Sequence, residues 1–347
     1  MRISSLNIYN FSNSSSVQNH SLSHKKLLHT NCINFNGKNI QQTLKNTDFS
    51  KLNEHSLGVL NIINTGTFAQ ILKFKLNDKL YAVKRLYPHQ INQPQANLCN
   101  TKRPSLQQQL QNEISVYKKL KDTNGIPKLY GFNFGDEKNL LNNYIVTSWA
   151  EGHVPTKDGA IYETELVKLH LPQIYNTLAE FDKKGILHGD LWAGNILFSE
   201  KGINIIDFND STNFNPEKKY KISNLDDFKT RFLNIFLADI YHRKGIAEFL
   251  KTYKECLILE QNLFKNKKEN IINIDAKNYF NEKINNIEVL LKSPYILKNQ
   301  AIMTIYDSNV YWAEMMKIRK NQGDFRYYLE RASKLKSENP EILGGTK

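Results

Sequence analysis

Asp190 and Asn195 stand five residues apart in the stretch Ile186-Leu187-His188-Gly189-Asp190-Leu191-Trp192-Ala193-Gly194-Asn195-Ile196-Leu197-Phe198, with apolar residues on either side. A capping role for Asp190 would require a helical pattern directly after it. Instead Leu191 to Gly194 lead to Asn195, and the Ile-Leu-Phe run that follows reads as a strand. The pair therefore belongs to a loop ahead of a strand. Twelve residues beyond Asn195, Asp207 follows a second short apolar run, Ile203 to Ile206. A carboxylate and an amide oxygen are hard donors that suit Mg²⁺, which retains waters and substrate phosphates as its other ligands. Asp190 is then left to accept a proton from an attacking hydroxyl. Such a loop suits phosphoryl transfer.

The elements that must position these residues can be read from hydropathy period. Leu57 to Ile63 and Ala69 to Lys75 pattern as strands joined by Asn64-Thr65-Gly66-Thr67-Phe68, and Leu80 to Leu86 as a third strand with alternating faces. Residues 87–104, with three prolines, read as a long loop. Ser105 is placed to cap a helix whose apolar positions are Leu106, Leu110, Ile114, Tyr117 and Leu120, closed by Asn124-Gly125. Lys128 to Phe132 and Asn143 to Ser148 complete a five-strand, one-helix lobe. Beyond it the pattern turns helical, first over Leu171 to Phe181, then after Asn224 over 225–242, 245–262, 281–292 and 307–320.

With these elements in place, the chain resembles the protein-kinase superfamily. The family's His-x-Asp-x4-Asn appears as His188, Asp190 and Asn195, and its Asp-Phe-Gly as Asp207-Phe208-Asn209. Its glycine-rich hairpin aligns with Asn64 to Ile71, where only Gly66 of the three glycines is kept. Its Val-Ala-Ile-Lys strand aligns with Tyr81-Ala82-Val83-Lys84. The resemblance covers roughly residues 57–210. It implies an α+β, bilobal protein-kinase-like fold, with a small antiparallel-sheet N-lobe carrying one helix and a larger, mostly helical C-lobe. It also implies ATP and Mg²⁺ as cofactors. Asp190 is expected to be the catalytic base, and Asn195 and Asp207 the metal ligands. Lys84 is expected on the α and β phosphates, anchored by Glu113, the one acidic residue between Ser105 and Leu120. The nucleotide is expected against Asn64, Gly66, Phe68, Ile71 and Ala82, with Tyr81 also packing the adenine. Its edge is expected on the backbone of a hinge at Ser148 to Gly152, with Ser148 and Ala150 as contacts.

Several positions depart from the commonest pattern. Gly189 stands where many regulated members carry Arg, which points to constitutive activity or another mode of control. Trp192 replaces a Lys found in many Ser/Thr kinases, so HGDLWAGN looks more like the aminoglycoside, choline and fructosamine kinase branch, or bacterial sugar and lipopolysaccharide kinases. Asn209 is expected to stiffen the metal loop. No Ala-Pro-Glu follows it. Asp226 or Asp227 is placed to cap the catalytic loop, although an ordinary N-terminal helix Asp is the simpler reading.

Composition sets the outer bounds. The 347 residues carry a formal charge of +13, from 47 Lys and Arg against 34 Asp and Glu. Lys and Asn are spread throughout, so the charge reads as compositional bias, and no motif for specific nucleic-acid binding is present. Lys218-Lys219-Tyr220-Lys221 is the one basic run beside the metal loop, suited to an acidic substrate or an anionic activator such as a polyphosphate. Cys32, Cys99 and Cys256 form no framework for disulfides or zinc. No apolar run reaches transmembrane length. Residues 1–50, rich in Ser and Asn, read as a disordered leader suited to secretion or targeting, ahead of a kinase-like domain over 51–347, split as 51–148 and 149–347. A cytoplasmic protein, or one exported from a bacterium into a host cell in the manner of effector-type kinases, fits this pattern. Three functions remain open at this level. The first is a kinase acting on protein hydroxyls. The second is a small-molecule kinase of the aminoglycoside, choline or sugar type. The third is a nucleotide-binding pseudokinase.

Overall fold

The structure, a computed structural model, describes residues 48–53, 56, 58–63, 69–86, 105–135, 140–157, 160–221, 223–318 and 320–344. Asn64, Gly66 and Phe68 of the expected hairpin, the loop over 87–104 and nearly all of the expected leader lie outside the described residues. The chain divides into two compact units, residues 1–121 with 126–150, and residues 122–125 with 151–347.

The first unit is built on an antiparallel sheet of β1 (Val59–Ile63), β2 (Ala69–Leu76), β3 (Lys79–Leu86), β4 (Leu129–Asn133) and β5 (Tyr144–Ser148), in the order β1-β2-β3-β5-β4. Because successive side chains point to opposite faces, one face of β2 and β3 supplies Leu72, Phe74, Tyr81 and Val83 to a core shared with Tyr144 and Val146. Tyr81 is therefore a core residue, edge-on to Tyr130, and cannot share a face with Ala82, which corrects its placement against adenine. Phe49 joins the same core, edge-on to Phe74 and Tyr144. The buried Arg85 holds this segment by donating to the Phe49 and Leu52 carbonyls, both at 2.8 Å. The packed chain thus includes Phe49, inside the segment expected to be leader.

Helix α1 (Leu106–Lys119) opens with a reciprocal capping box. Ser105 Oγ accepts from the Gln108 backbone, and the Gln108 side chain accepts from the Ser105 N–H. Its buried face holds Leu110, Glu113, Ile114, Val116 and Tyr117. The helix stops at Leu120 rather than at Asn124-Gly125.

The second unit begins with the short pair β6 (Thr156–Lys157) and β7 (Ala160–Ile161), followed by α2 (Thr164–Lys183). Next come β8 (Ile186–Leu187), β9 (Ile196–Ser199), β10 (Gly202–Ile205) and β11 (Thr212–Asn213). β9 pairs with β10 and β8 with β11, both antiparallel. The helices α3 (Asn224–Phe228) and α4 (Asn234–Lys244) are joined by a π turn over Lys229–Leu233. Then follow α5 (Ile246–Asn270), α6 (Ile274–Lys292), α7 (Pro294–Ile318), α8 (Gln322–Glu338) and the short α9 (Pro340–Leu343). Apart from breaks at 271–273 and Ser293, helix therefore fills the gaps left by the hydropathy reading over 263–280 and 293–306, and α8 lies wholly beyond the expected elements. No helix among the described residues is long and apolar enough to cross a membrane.

Candidate active site

In the first unit, β2 and β3 align Ile71 with Lys84 and Lys73 with Ala82. Ile71, Ala82 and Lys84 accordingly lie on the face opposite the core. Lys84 Nζ donates to Glu113 Oε2 at 2.8 Å, with the Lys side chain 15% exposed and the Glu 1%. A helix carboxylate buried to that degree needs a cation, and β3 brings one. At the end of β5, the Ser148 N–H donates to the Lys128 carbonyl and its Oγ accepts from the Lys128 N–H. Trp149 N–H is bonded to Leu80. The Ala150 N–H makes no hydrogen bond among the described residues, which makes it the better-placed hinge donor of the two expected.

In the second unit the catalytic-loop segment is braced from below. Asn224, fully buried at the start of α3, donates to Asp182 Oδ1 at 2.6 Å and to the Ile186 carbonyl at 2.7 Å, and accepts from the His188 N–H at 2.8 Å. Lys267 closes the far side of Asp182 at 2.5 Å. The His188 ring is buried between Phe181 and Phe208, and its Nε2 pairs with the Ile206 carbonyl at 3.1 Å. That burial lowers its pKa to about 4. Phe208, the residue after Asp207, is likewise fully buried.

Asp190 lies at the top of this brace. Asn195 Nδ2 donates to its backbone carbonyl at 2.9 Å and to its Oδ2 at 3.0 Å. Arg231 Nη1 donates to its Oδ1 at 3.0 Å. Burial is the largest influence on the carboxyl and raises its pKa to about 6. Arg231 opposes that rise, and the nearby Asp207, Asp210 and Asp227 add to it. The same Arg231 donates through Nε to Asp227 Oδ1 at 2.6 Å, while Asp227 Oδ2 accepts from the Leu191 N–H at 2.9 Å. Asp227 therefore caps the catalytic loop, and the simpler reading of it as a plain N-terminal helix charge is set aside. Asp226 makes no such contact with the loop among the described residues.

The two expected metal ligands are neighbours through the backbone, since the Ile206 N–H donates to the Asn195 carbonyl at 3.0 Å. Asp207 adopts a left-handed backbone, φ 66°. That costs a non-glycine residue about 1–2 kcal/mol, and the buried Phe208 on one side and the Ile206 bond on the other hold it there. Asn209 is not among the residues with positive φ, so replacing a glycine there carries no left-handed strain. With Asn195 Nδ2 turned to Asp190, its Oδ1 is the amide oxygen left for a cation. Among the described residues no three His, Cys, Asp or Glu side chains gather to hold a metal by themselves. A two-ligand Asn and Asp set fits Mg²⁺, whose remaining ligands are water and phosphate.

Sequence reading missed Asn224 and Arg231. The polar start Ser223-Asn224-Leu225-Asp226-Asp227 is the signal for the first. Arg231 lies four residues beyond Asp227, a spacing at which side chains of one helix meet.

A five-strand antiparallel unit with one helix, followed by a mostly helical unit carrying an Asp-Asn-Asp loop, defines a bilobal kinase fold. Residues 57–230, half of the chain, match the protein kinase domain, and the chain belongs to that family. It is 26% identical over 220 residues to the probable serine/threonine-protein kinase fnkE of Dictyostelium discoideum, covering 55% of this chain and 16% of that protein. It is 30% identical over 128 residues to the probable cAMP-dependent protein kinase catalytic subunit of Encephalitozoon cuniculi, covering 36% of this chain and 39% of the other. The chain spans well under half the length of either relative.

Proposed function

We propose that this chain is an active, ATP-dependent kinase acting on hydroxyl groups of proteins. The observation that carries the reading is the buried Lys84–Glu113 pair at 2.8 Å. Isolated buried ion pairs are weak contributors to stability, whereas the chemistry of this family requires such a Lys to be held for the nucleotide phosphates. Its presence, with an engaged Asp190 and an unstrained Asn209, favours an enzyme over a pseudokinase. The Dictyostelium relative, named as a probable serine/threonine-protein kinase, favours Ser and Thr acceptors.

In this reading Lys84 pairs the α and β phosphates of ATP, with Ile71 and Ala82 against the adenine and the Ala150 N–H on its edge. Asn64, Gly66 and Phe68 would cover the phosphates. Mg²⁺, held by Asn195 and Asp207, would neutralise phosphate charge. Asp190 Oδ2 takes the proton of the acceptor hydroxyl as its oxygen bonds the γ-phosphorus, and the bond to the β–γ bridging oxygen breaks with its electron pair leaving on ADP. Positioning and charge stabilisation supply most of the acceleration.

The segment after the metal loop bears on the acceptor. From β11 to Lys221 it is mostly exposed, and Lys218, Lys219 and Lys221 make no ion pair among the described residues. A closed acidic pocket for a cationic small molecule would look different. The exposed basic segment suits an acidic stretch of a protein substrate, or an anionic activator. Export from a bacterium into a host has only the Ser- and Asn-rich composition of the first residues behind it, and both relatives are eukaryotic.

The test is transfer of labelled γ-phosphate from Mg-ATP by the wild type and by Asp207→Ala. Acceptors are the protein itself, a cell lysate and a panel of sugars and amines. Label in protein that disappears with Asp207→Ala is expected. Label confined to a small molecule would replace the protein acceptor, and no transfer with nucleotide binding intact would leave a pseudokinase.

A further inference from the structure

We infer that Arg231 is the positioning residue of the catalytic loop, a guanidinium that fixes one oxygen of Asp190 so that the other is presented to the acceptor hydroxyl. The inference rests on the kinase reading above. The loop itself brings no cation, because only Leu191, Trp192, Ala193 and Gly194 separate Asp190 from Asn195. The cation comes from the helix that caps the loop.

The geometry is a closed ring. Arg231 Nη1 reaches Asp190 Oδ1 and its Nε reaches Asp227 Oδ1, while Asp227 Oδ2 takes the N–H of Leu191, the residue next to Asp190. One planar fork thus ties a side chain and the neighbouring backbone to a single helix, a task that the flexible point charge of a Lys performs less well. Asp190 Oδ2 is steadied by Asn195 and keeps lone-pair capacity for a proton. Arg231 and Asp190 are 9% and 13% exposed, so the fork is shielded from water and little screened by salt.

The element that carries Arg231 is unusual in the same place. Lys229–Leu233 is the one π turn among the described residues, and such turns concentrate at functional sites. It is pinned from two sides. Trp312 Nε1 donates to the Thr230 carbonyl at 3.1 Å, and Phe228 stacks on Phe232 with ring centroids 5.2 Å apart. A wide turn held this firmly fixes where the guanidinium sits.

The experiment compares wild type, Arg231→Met and Arg231→Lys in steady-state phosphate transfer, with melting temperatures for each. Arg231→Met is expected to lower kcat by about 10–100-fold, as small misplacements of a reacting group do, with the KM for ATP within about twofold of wild type. Arg231→Lys, which keeps the charge without the fork, is expected to fall between them. An unchanged kcat in Arg231→Met overturns the inference, as does full activity in Arg231→Lys. So does a loss that follows the melting temperature in both variants. Absence of transfer by the wild type overturns the kinase reading along with this one, and that control separates the two failures.

Discussion

At the scale of single residues, the Lys84–Glu113 pair separates function from stability. Glu113 is buried on α1 and has Lys84 as its cationic partner. Removing one partner of a buried pair leaves the other charge less well compensated, and Glu113→Ala is expected to cost about 3 kcal/mol of unfolding free energy. Pairing it with Lys84→Met removes the ammonium that the lost carboxylate had balanced, so the double variant is expected to recover part of that loss. Phosphate transfer is expected to stay lost in both. Urea unfolding beside a transfer assay reads the two quantities independently. Recovery of activity together with stability would mean that the pair is structural and that nucleotide phosphates are held elsewhere.

At the scale of elements, the catalytic loop depends on how closely β8 and the segment after the metal loop approach each other. Gly189, between His188 and Asp190, has φ +82°, and a Cβ there would lie 2.7 Å from the Asp210 carbonyl oxygen. A side chain here is therefore strained and requires the Asp210 backbone to shift, which gives a backbone reason for Gly where many family members carry Arg. Gly245 has nearly the same φ, +81°, with nothing within 4 Å of the corresponding Cβ. Because Gly245 combines that φ with ψ 177°, a backbone region essentially confined to glycine, Gly245→Ala is expected to lose the conformational cost alone, about 1–3 kcal/mol, and Gly189→Ala about 1–2 kcal/mol more from the methyl–carbonyl clash. Equal urea midpoints for the two would show that the segment yields to the methyl group.

The same scale explains what could be read in advance. Motif spacing placed Asp190, Asn195 and Asp207, and periods of two and of 3.6 placed the five strands and α1, because each of these elements has one face that must be apolar. Tyr81 belongs to the core and not to the adenine face because successive strand residues point to opposite faces, and Ala82 and Lys84 take the other one. Helix α8 escaped because its buried face runs Tyr328, Arg331, Ala332 and Leu335, and the Arg breaks the apolar stripe. That Arg is legible only once Asp239, 92 residues earlier, is seen to bond it at 2.7 Å. Arg231 was missed for a similar reason, as its meaning comes from Asp190, 41 residues away. Partners that define a charge inside a fold are rarely near it in sequence.

For the molecule as a whole, charge and burial combine at low pH. The chain already carries +13, and each added proton increases its self-repulsion. His242, on α4, has its Nε2 buried without a hydrogen-bond partner. Burial lowers its pKa to about 4, helped by Arg331 and Lys334. The unfolded chain takes up this proton near pH ~6.5, whereas the folded chain resists until about 4. Between those values the unfolded state binds more protons, so stability falls as pH falls. His188 acts in the same sense. Asp190, raised to about 6, acts in the opposite sense below that pH. His242→Phe removes one contribution and keeps an aromatic ring against Tyr241, which His242 meets edge-on with centroids 5.3 Å apart. Between pH ~7.5 and ~5 the variant is expected to lose about 1 kcal/mol less than wild type, a figure reduced from the full linkage value because the ring is partly exposed. Thermal or urea unfolding at the two pH values measures the difference directly. Parallel losses in wild type and variant would place the acid sensitivity on other groups, with the buried His188 as the next histidine to replace.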